Sequence, residues 1–376
     1  FDSSSRRPGF ATRTRPPPKS ASARPGANVS ALRYADREER KPIRLNTKKL
    51  RIVAIGGGTG LSTLLHGLKR RILAGDDLEV TAVVTVTDDG GSSGRLRREF
   101  DVLPPGDIRN CMVALSKDED LLSQLFQYRF PAGRGLKNHS FGNLFLTALT
   151  NLTGDFPQAV RRSAEILRTA GRIYPSTSEN VRIRAVLAGG GVVEGETRIS
   201  RSRSRIEQIQ LVPEFCRPLP ETLAAIGEAD LISLGPGSLF TSIIPNLLVH
   251  GIPAAIRKSA AVKANFMNLM WQPGETTDFT ASDHLEAIHR HAGGKLVEVV
   301  VVNTTPIKPG QRKRYAAQKA LPVEIDRDKL AQMGVTLIGR ELLAQSEKIR
   351  HDADAIAEVA VQLAAAGRRR KRNRRS

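Results

Sequence analysis

An α/β fold built on a mostly parallel sheet flanked by helices is predicted by three features of the chain. Apolar runs of strand length alternate with helically spaced segments through most of its length. Two of these runs break into glycine-bearing turns and resume with helical spacing, at Gly56–Gly60 and at Gly235–Ser238. Another ends in Thr87-Asp-Asp-Gly-Gly-Ser-Ser-Gly94, so a carboxylate- and glycine-rich loop falls at the carboxyl edge of the sheet, where open α/β folds bind ligands.

Taken in order, Arg51–Ile55 reads as the first strand. Leu61–Leu73 reads as a helix with Leu61, Leu64, Leu65, Leu68 and Ile72 on one face. Thr81–Val86 is the second strand. Leu103-Pro-Pro-Gly-Asp-Ile-Arg-Asn110 punctuates the chain before the helical stretch Cys111–Leu115, and Leu121–Tyr128 and Phe141–Leu149 follow as helices, the latter with Asn138-His-Ser140 as its cap. Arg182–Leu187 and Glu196–Ile199 have strand character around the Gly189-Gly-Gly191 turn and are expected to form a small β insertion. Asp230–Leu234 is a buried-type strand, Leu239–Val249 a helix and Lys295–Asn303 the last clear core strand. The remainder, to about Ala366, mixes short strands with a terminal helix.

Charge is distributed unevenly. Residues 1–50 carry 13 Lys or Arg against 4 Asp or Glu, and residues 367–376 carry 7 basic residues, so of the net +20 only +4 falls on the 316 residues between. The expected organisation is therefore a basic disordered tail over residues 1–47, a nucleotide-binding body over 48–366 and a basic tail over 367–376. Like charges in Arg368–Arg375 oppose helix there. Such tails suit non-specific contact with anionic lipid or nucleic acid. Cys111 and Cys216 lack CxxC spacing, and neither an 18-residue apolar run nor a basic-then-apolar leader is present. The expected compartment is a reducing cytoplasm.

Gly56, Gly57, Gly58 and Gly60 remove side chains where the backbone turns, while Thr59, Ser62 and Thr63 bring hydroxyls to a helix N-terminus whose N–H groups attract phosphate. The spacing is neither the dinucleotide fingerprint, which wants glycine where Leu61 stands, nor a Walker A loop, whose Gly-Lys-Ser/Thr is missing. Ser238 reads as a helix cap and phosphate donor, and Gly235 and Gly237 as the opposite wall of the crevice. Asp88 and Asp89 point to opposite sides of an extended segment, so either one meets Mg²⁺ or a ribose hydroxyl while the other anchors the turn, or both simply accept from backbone N–H groups in a tight turn. Asp107, with Arg109 and Asn110, suits a local brace and a ligand contact equally. His284, His289 and His291 are spaced poorly for zinc, and no Gly-x-Ser-x-Gly elbow points to hydrolysis.

Together the motifs resemble the bacterial gluconeogenesis-factor family, the YvcK-type branch of the 2-phospho-lactate transferase-like fold. The resemblance runs from Ile52 to about Ala366. It is carried by Ile55-Gly-Gly-Gly-Thr-Gly-Leu-Ser62, Val86-Thr-Asp-Asp-Gly-Gly-Ser-Ser-Gly94, Pro105-Gly-Asp-Ile-Arg-Asn-Cys111, His139-Ser-Phe-Gly-Asn143, Gly235-Pro-Gly-Ser-Leu239, Gln272-Pro-Gly-Glu-Thr276 and Ile349-Arg-His-Asp352. It implies a Rossmann-like domain that binds UDP-sugars, UDP-N-acetylglucosamine above all, and links gluconeogenic carbon supply to cell-wall precursor synthesis and cell shape. The implied ligand-binding residues are Gly57, Gly58, Thr59, Gly60, Asp88, Asp89, Asn143, Gly235, Gly237, Ser238 and Arg350. No cofactor is required on that reading. The transferase relatives imply the alternative, an enzyme using a nucleotide-activated donor, with Mg²⁺ on Asp88 and Asp89. A homo-oligomer and a partner enzyme of amino-sugar or envelope synthesis are also expected. Ala353 follows the Arg-His-Asp motif where some relatives carry a hydroxyl, so phosphorylation there is excluded.

Overall fold

The computed structural model describes residues 49–117, 121–202 and 204–374; the expectation for residues 1–47 lies outside them. Seven parallel strands form the main sheet: β1 (Leu50–Gly56), β2 (Leu78–Val84), β3 (Arg172–Pro175), β7 (Leu231–Leu234), β8 (Val262–Phe266), β9 (Val299–Asn303) and β10 (Thr336–Arg340). Their order is β10-β9-β8-β7-β1-β2-β3. A second sheet pairs β4 (Arg182–Leu187) antiparallel with both β5 (Val192–Glu194) and β6 (Ile206–Val212). The predicted α/β class and the β insertion are both present.

Chain order places the ligand edge. From β1 the chain runs to β2 on one side, whereas β7 lies on the other side of β1 and leads outward to β8, β9 and β10. The strand order thus reverses between β1 and β7, which pair in register from Ile52–Leu231 to Ile55–Leu234. Crevices at such reversals, beyond the strand carboxyl ends, are where open α/β sheets take ligands.

The strand runs are apolar on both faces because helices cover both; Ile52, Ile55, Val83, Leu231 and Ile232 are all fully buried. The first helix, Gly58–Leu73, begins three residues earlier than its apolar spacing indicates, and its Leu61, Leu64, Leu65 and Leu68 are completely covered. Each such leucine contributes about 1.5–3 kcal/mol of burial. This helix packs on the terminal helix Ala353–Asn373.

Three expectations need correction. Glu196–Ile199 is a short helical turn, and the insertion's partners for β4 are Val192–Glu194 and Ile206–Val212. Ser140 precedes the helix Phe141–Thr153 without capping it, because its hydroxyl donates to the Phe126 carbonyl at 3.2 Å. Residues 368–373 continue the terminal helix, since acidic side chains on the body offset the repulsion between its basic ones. Arg368 and Lys371 pair with Asp230 at 2.5 and 3.2 Å, and Arg370 pairs with Glu298 at 2.9 Å. Cys111 and Cys216 are buried free thiols. Among the described residues no single helix is long and apolar enough to cross a membrane.

Candidate functional site

The two glycine turns meet at the β1–β7 reversal. An ideal Cβ on Gly60 would lie 2.4 Å from the Pro236 carbonyl oxygen and 2.7 Å from the Gly237 nitrogen, so only glycine lets the two backbones approach. A Cβ on Gly57 would lie 2.5 Å from Asp107 Oδ2 and 2.8 Å from the Thr85 methyl. Behind them, Asn246 Nδ2 donates to the carbonyls of Gly56 and Ser242 at 3.2 and 2.7 Å, and Asn265 Nδ2 donates to that of Leu234 at 3.1 Å. The turns are thus fastened from within the core.

The helix N-terminus is less bare than its glycines suggest. The Gly58 N–H donates to Asp107. Ser62 and Thr63 donate their hydroxyls back to the carbonyls of Gly58 and Thr59 at 3.0 and 2.8 Å, so neither O–H is directed to a phosphate. Thr59 itself is exposed at the rim. On the second wall Gly237 is bracketed by Asn268, whose Nδ2 donates to its carbonyl at 2.9 Å. Ser238 makes no side-chain cap; its oxygen accepts from Gln272 Nε2 at 2.6 Å, which leaves its own O–H to donate.

Asp88 and Asp89 diverge as their adjacency requires. Asp88 Oδ1 accepts from the Gly90 N–H at 2.8 Å, and its carboxylate also accepts from Ser93. Asp89 is committed to the insertion: its Oδ1 accepts from the Thr197 N–H at 2.9 Å and the Thr197 hydroxyl at 2.6 Å. Asn143, 2% exposed, donates from Nδ2 to Ser93 Oγ at 3.4 Å and so joins the Asp88 side. Arg350 is exposed, with Tyr315 Oη accepting the N–H of its neighbour Ile349 at 3.0 Å. The structure therefore brings Gly57, Gly58, Gly60, Asp88, Asn143, Gly235, Gly237 and Ser238 to one crevice and turns Asp89 toward the insertion, while Thr59 and Arg350 are exposed.

Three acidic residues complete this neighbourhood. Burial, and then the charge of Asp88, push the Asp107 carboxyl up to about 7. Burial, reinforced by Asp88, Asp107, Glu275 and Asp89, pushes Glu196 up to about 9. Burial also raises Glu275, against hydrogen bonds from Ser200 and Thr241. Burial and like charge thus act together, and Glu196, at about 9, keeps its proton at neutral pH and can donate as well as accept. Sequence reasoning assigned no role to Glu275 or Glu196. The first sits within the quoted Gln-Pro-Gly-Glu-Thr motif, whereas no local pattern marks Glu196, whose place depends on how the insertion folds back.

Asp88 and Asp89 turn to different partners, and among the described residues no group of three or more carboxylate, histidine or cysteine ligands is placed to hold an ion. The clustered histidines serve the backbone: His284 Nδ1 bonds the Thr280 carbonyl, His289 Nε2 accepts from Val297 N–H and His291 Nε2 from Ile209 N–H. A cavity of about 640 Å³ lies elsewhere, between β4, β6 and the helix Ala281–His291. Its lining mixes Arg205 and Arg290 with Glu207, Asp283 and Glu286, without a glycine turn.

His351, in the terminal motif, bonds the Met267 carbonyl at 3.1 Å, and burial holds its pKa down to about 4. The unfolded chain takes this proton near 6.5 and the folded chain only near 4, so stability present above pH 6.5 is lost as pH falls toward 4. The expected loss is about 2 kcal/mol between pH 7 and pH 5. Urea midpoints at the two pH values should converge in His351→Asn; an unchanged difference would refute the assignment.

Residues 52–343 match the family described as 2-phospho-L-lactate transferase CofD. The chain is 45% identical over 313 residues to the gluconeogenesis factor of Halalkalibacterium halodurans, covering 83% of this chain and 96% of that one. It is 44% identical over 317 residues to the gluconeogenesis factor of Bacillus subtilis, covering 84% and 98%. A crystal structure of a Bacillus halodurans protein matches with a TM-score of 0.80 and 45% identity, covering 84% of this chain and 100% of the other.

Proposed function

We propose, for a chain that belongs to the CofD family and groups within it with the bacterial gluconeogenesis factors, that its crevice binds a UDP-sugar, UDP-N-acetylglucosamine first, without turnover. The observation that carries this reading is the contact of the two glycine turns at the β1–β7 reversal, with Gly60 against Pro236 and Gly237. That contact sets the N-terminus of the first helix against the Gly235–Ser238 turn, whose Ser238 O–H remains to donate, and this supports a seat for a diphosphate there. In this role the protein works in the cytoplasm, linking gluconeogenic carbon supply to cell-wall precursor synthesis and cell shape through a partner enzyme of that pathway. A homo-oligomer is the proposed assembly, and any contact with anionic lipid or nucleic acid is left to basic residues other than Arg368, Arg370 and Lys371, which are paired within the fold.

The non-catalytic reading is supported by the commitment of Asp89 to Thr197, which leaves Asp88 alone of the pair to meet a Mg²⁺ carried by phosphates. Calorimetric titration of the full chain with UDP-N-acetylglucosamine, with and without Mg²⁺, should give saturable, metal-independent binding with the ligand recovered intact. Metal-dependent binding with cleavage would favour the transferase; absence of binding would remove the UDP-sugar reading.

A further inference from the structure

The insertion is tied to both sides of the crevice. Thr197 is held by Asp89, from the loop after β2. Ser200 donates to Glu275 Oε1 at 3.1 Å, and Thr241, in the π-helical turn Leu239–Ile243 after β7, donates to the same oxygen at 3.3 Å. Between these two ties the chain has little freedom, and Glu196 stands at their start. Its half-buried carboxyl lies within the electrostatic reach of Asp88, Asp107, Glu275 and Asp89.

Among the described residues, the buried polar atoms here without a hydrogen-bond partner include Oε2 of Glu275, a residue 6% exposed, Oδ1 of Asn143, a residue 2% exposed, and Oε1 of Gln272 beside Ser238. Asn143 reaches Asp88 through Ser93, and Glu275 reaches the insertion through Ser200. Unmet buried acceptors cost about 1–3 kcal/mol each, and native structures retain them where another molecule supplies the donor.

The charges select the donor. A phosphate placed here would find no cation among Asp88, Asp107, Glu196 and Glu275, and the glycine turns offer it a better seat. A metal ion finds fewer than three ligands brought together among the described residues. What fits is an uncharged group rich in O–H and N–H.

We propose that Glu196, Glu275 and Asn143 form a subsite for the uncharged, hydroxyl- and amide-bearing part of the ligand, with Glu196 as its contact residue and the diphosphate at the glycine turns. This inference rests on the nucleotide-sugar reading and adds an orientation to it. Asp89 and Ser200 act as positioning groups, since they hold the arc that carries Glu196.

The test is calorimetry on the full chain with two probes, UDP-N-acetylglucosamine and UDP. Glu196→Ala should weaken the nucleotide-sugar about tenfold and UDP less than about twofold, as expected for losing one buried hydrogen bond at the sugar end. Glu196→Gln keeps a donor and an acceptor and should stay within about threefold of wild type on both probes. Equal loss on the two probes, no loss in Glu196→Ala, or a glutamine variant as weak as alanine overturns the subsite while leaving the nucleotide-sugar reading intact. A wild-type chain that binds neither probe overturns both.

Discussion

Asp230→Ala is expected to destabilise the folded chain by about 2–4 kcal/mol, the cost of losing a buried carboxylate's charge-assisted hydrogen bonds and of leaving the half-buried Arg368 and Lys371 without their counter-charge. Asp230 is 1% exposed and stands just before β7. Its Oδ2 accepts from the Arg51 N–H at 2.9 Å, its Oδ1 accepts from Arg368 Nε at 3.0 Å, and Lys371 lies 3.2 Å away. One carboxylate thus joins β1, β7 and the terminal helix. Burial alone would raise its pKa, but hydrogen bonds from Arg368 and Arg51 and the charge of Lys371 outweigh burial and hold it below the ordinary value. The stabilisation is therefore complete above the unfolded aspartate range and is lost only as pH falls through the lower, folded value. Urea unfolding at pH 7 measures the effect. Arg368→Ala should cost less, because Lys371 and the Arg51 N–H remain, and the double variant should show strong coupling. A loss below about 1 kcal/mol in Asp230→Ala would show that helix and sheet hold together by apolar packing alone.

Gly60→Val should abolish ligand binding in the crevice and lower stability by about 1–3 kcal/mol through overpacking. The added side chain would enter the Pro236 carbonyl, 2.4 Å from the ideal Cβ, and a backbone group in a fastened turn has little room to yield. Because the obstruction lies between the two walls, it must separate them, moving Gly237 and Ser238 from the first turn. Gly310→Ala, at a site with nothing within 4 Å of the added carbon, is the matched control and should leave binding unchanged. Binding of UDP-N-acetylglucosamine by Gly60→Val at wild-type strength would show that the two turns need not touch to hold ligand, and the observation on which the proposed function rests would lose its force.

Much of this was readable from local pattern. Strand-length apolar runs ending in glycine, as at Ile52–Gly56 and Leu231–Gly235, have few other uses than sheet strands leading into tight turns, so the α/β class and both walls of the crevice follow from spacing. The adjacency of Asp88 and Asp89 required them to diverge, because successive side chains in an extended segment face opposite ways. Which of the two turned inward depended on Thr197, 108 residues further on, and no local rule reaches that far.

Tertiary structure decided the rest for the same reason. The helical state of Arg368–Asn373 opposes its own charge pattern and exists because Asp230 and Glu298 lie beneath it. Glu196 has strand-like neighbours in sequence, yet it becomes a helical turn beside the acidic cluster because Asp89 and Glu275 hold the arc from both sides. Propensity and periodicity are sums over nearest neighbours along the chain, whereas ion pairs and buried hydrogen bonds depend on distance in space, which folding alone sets.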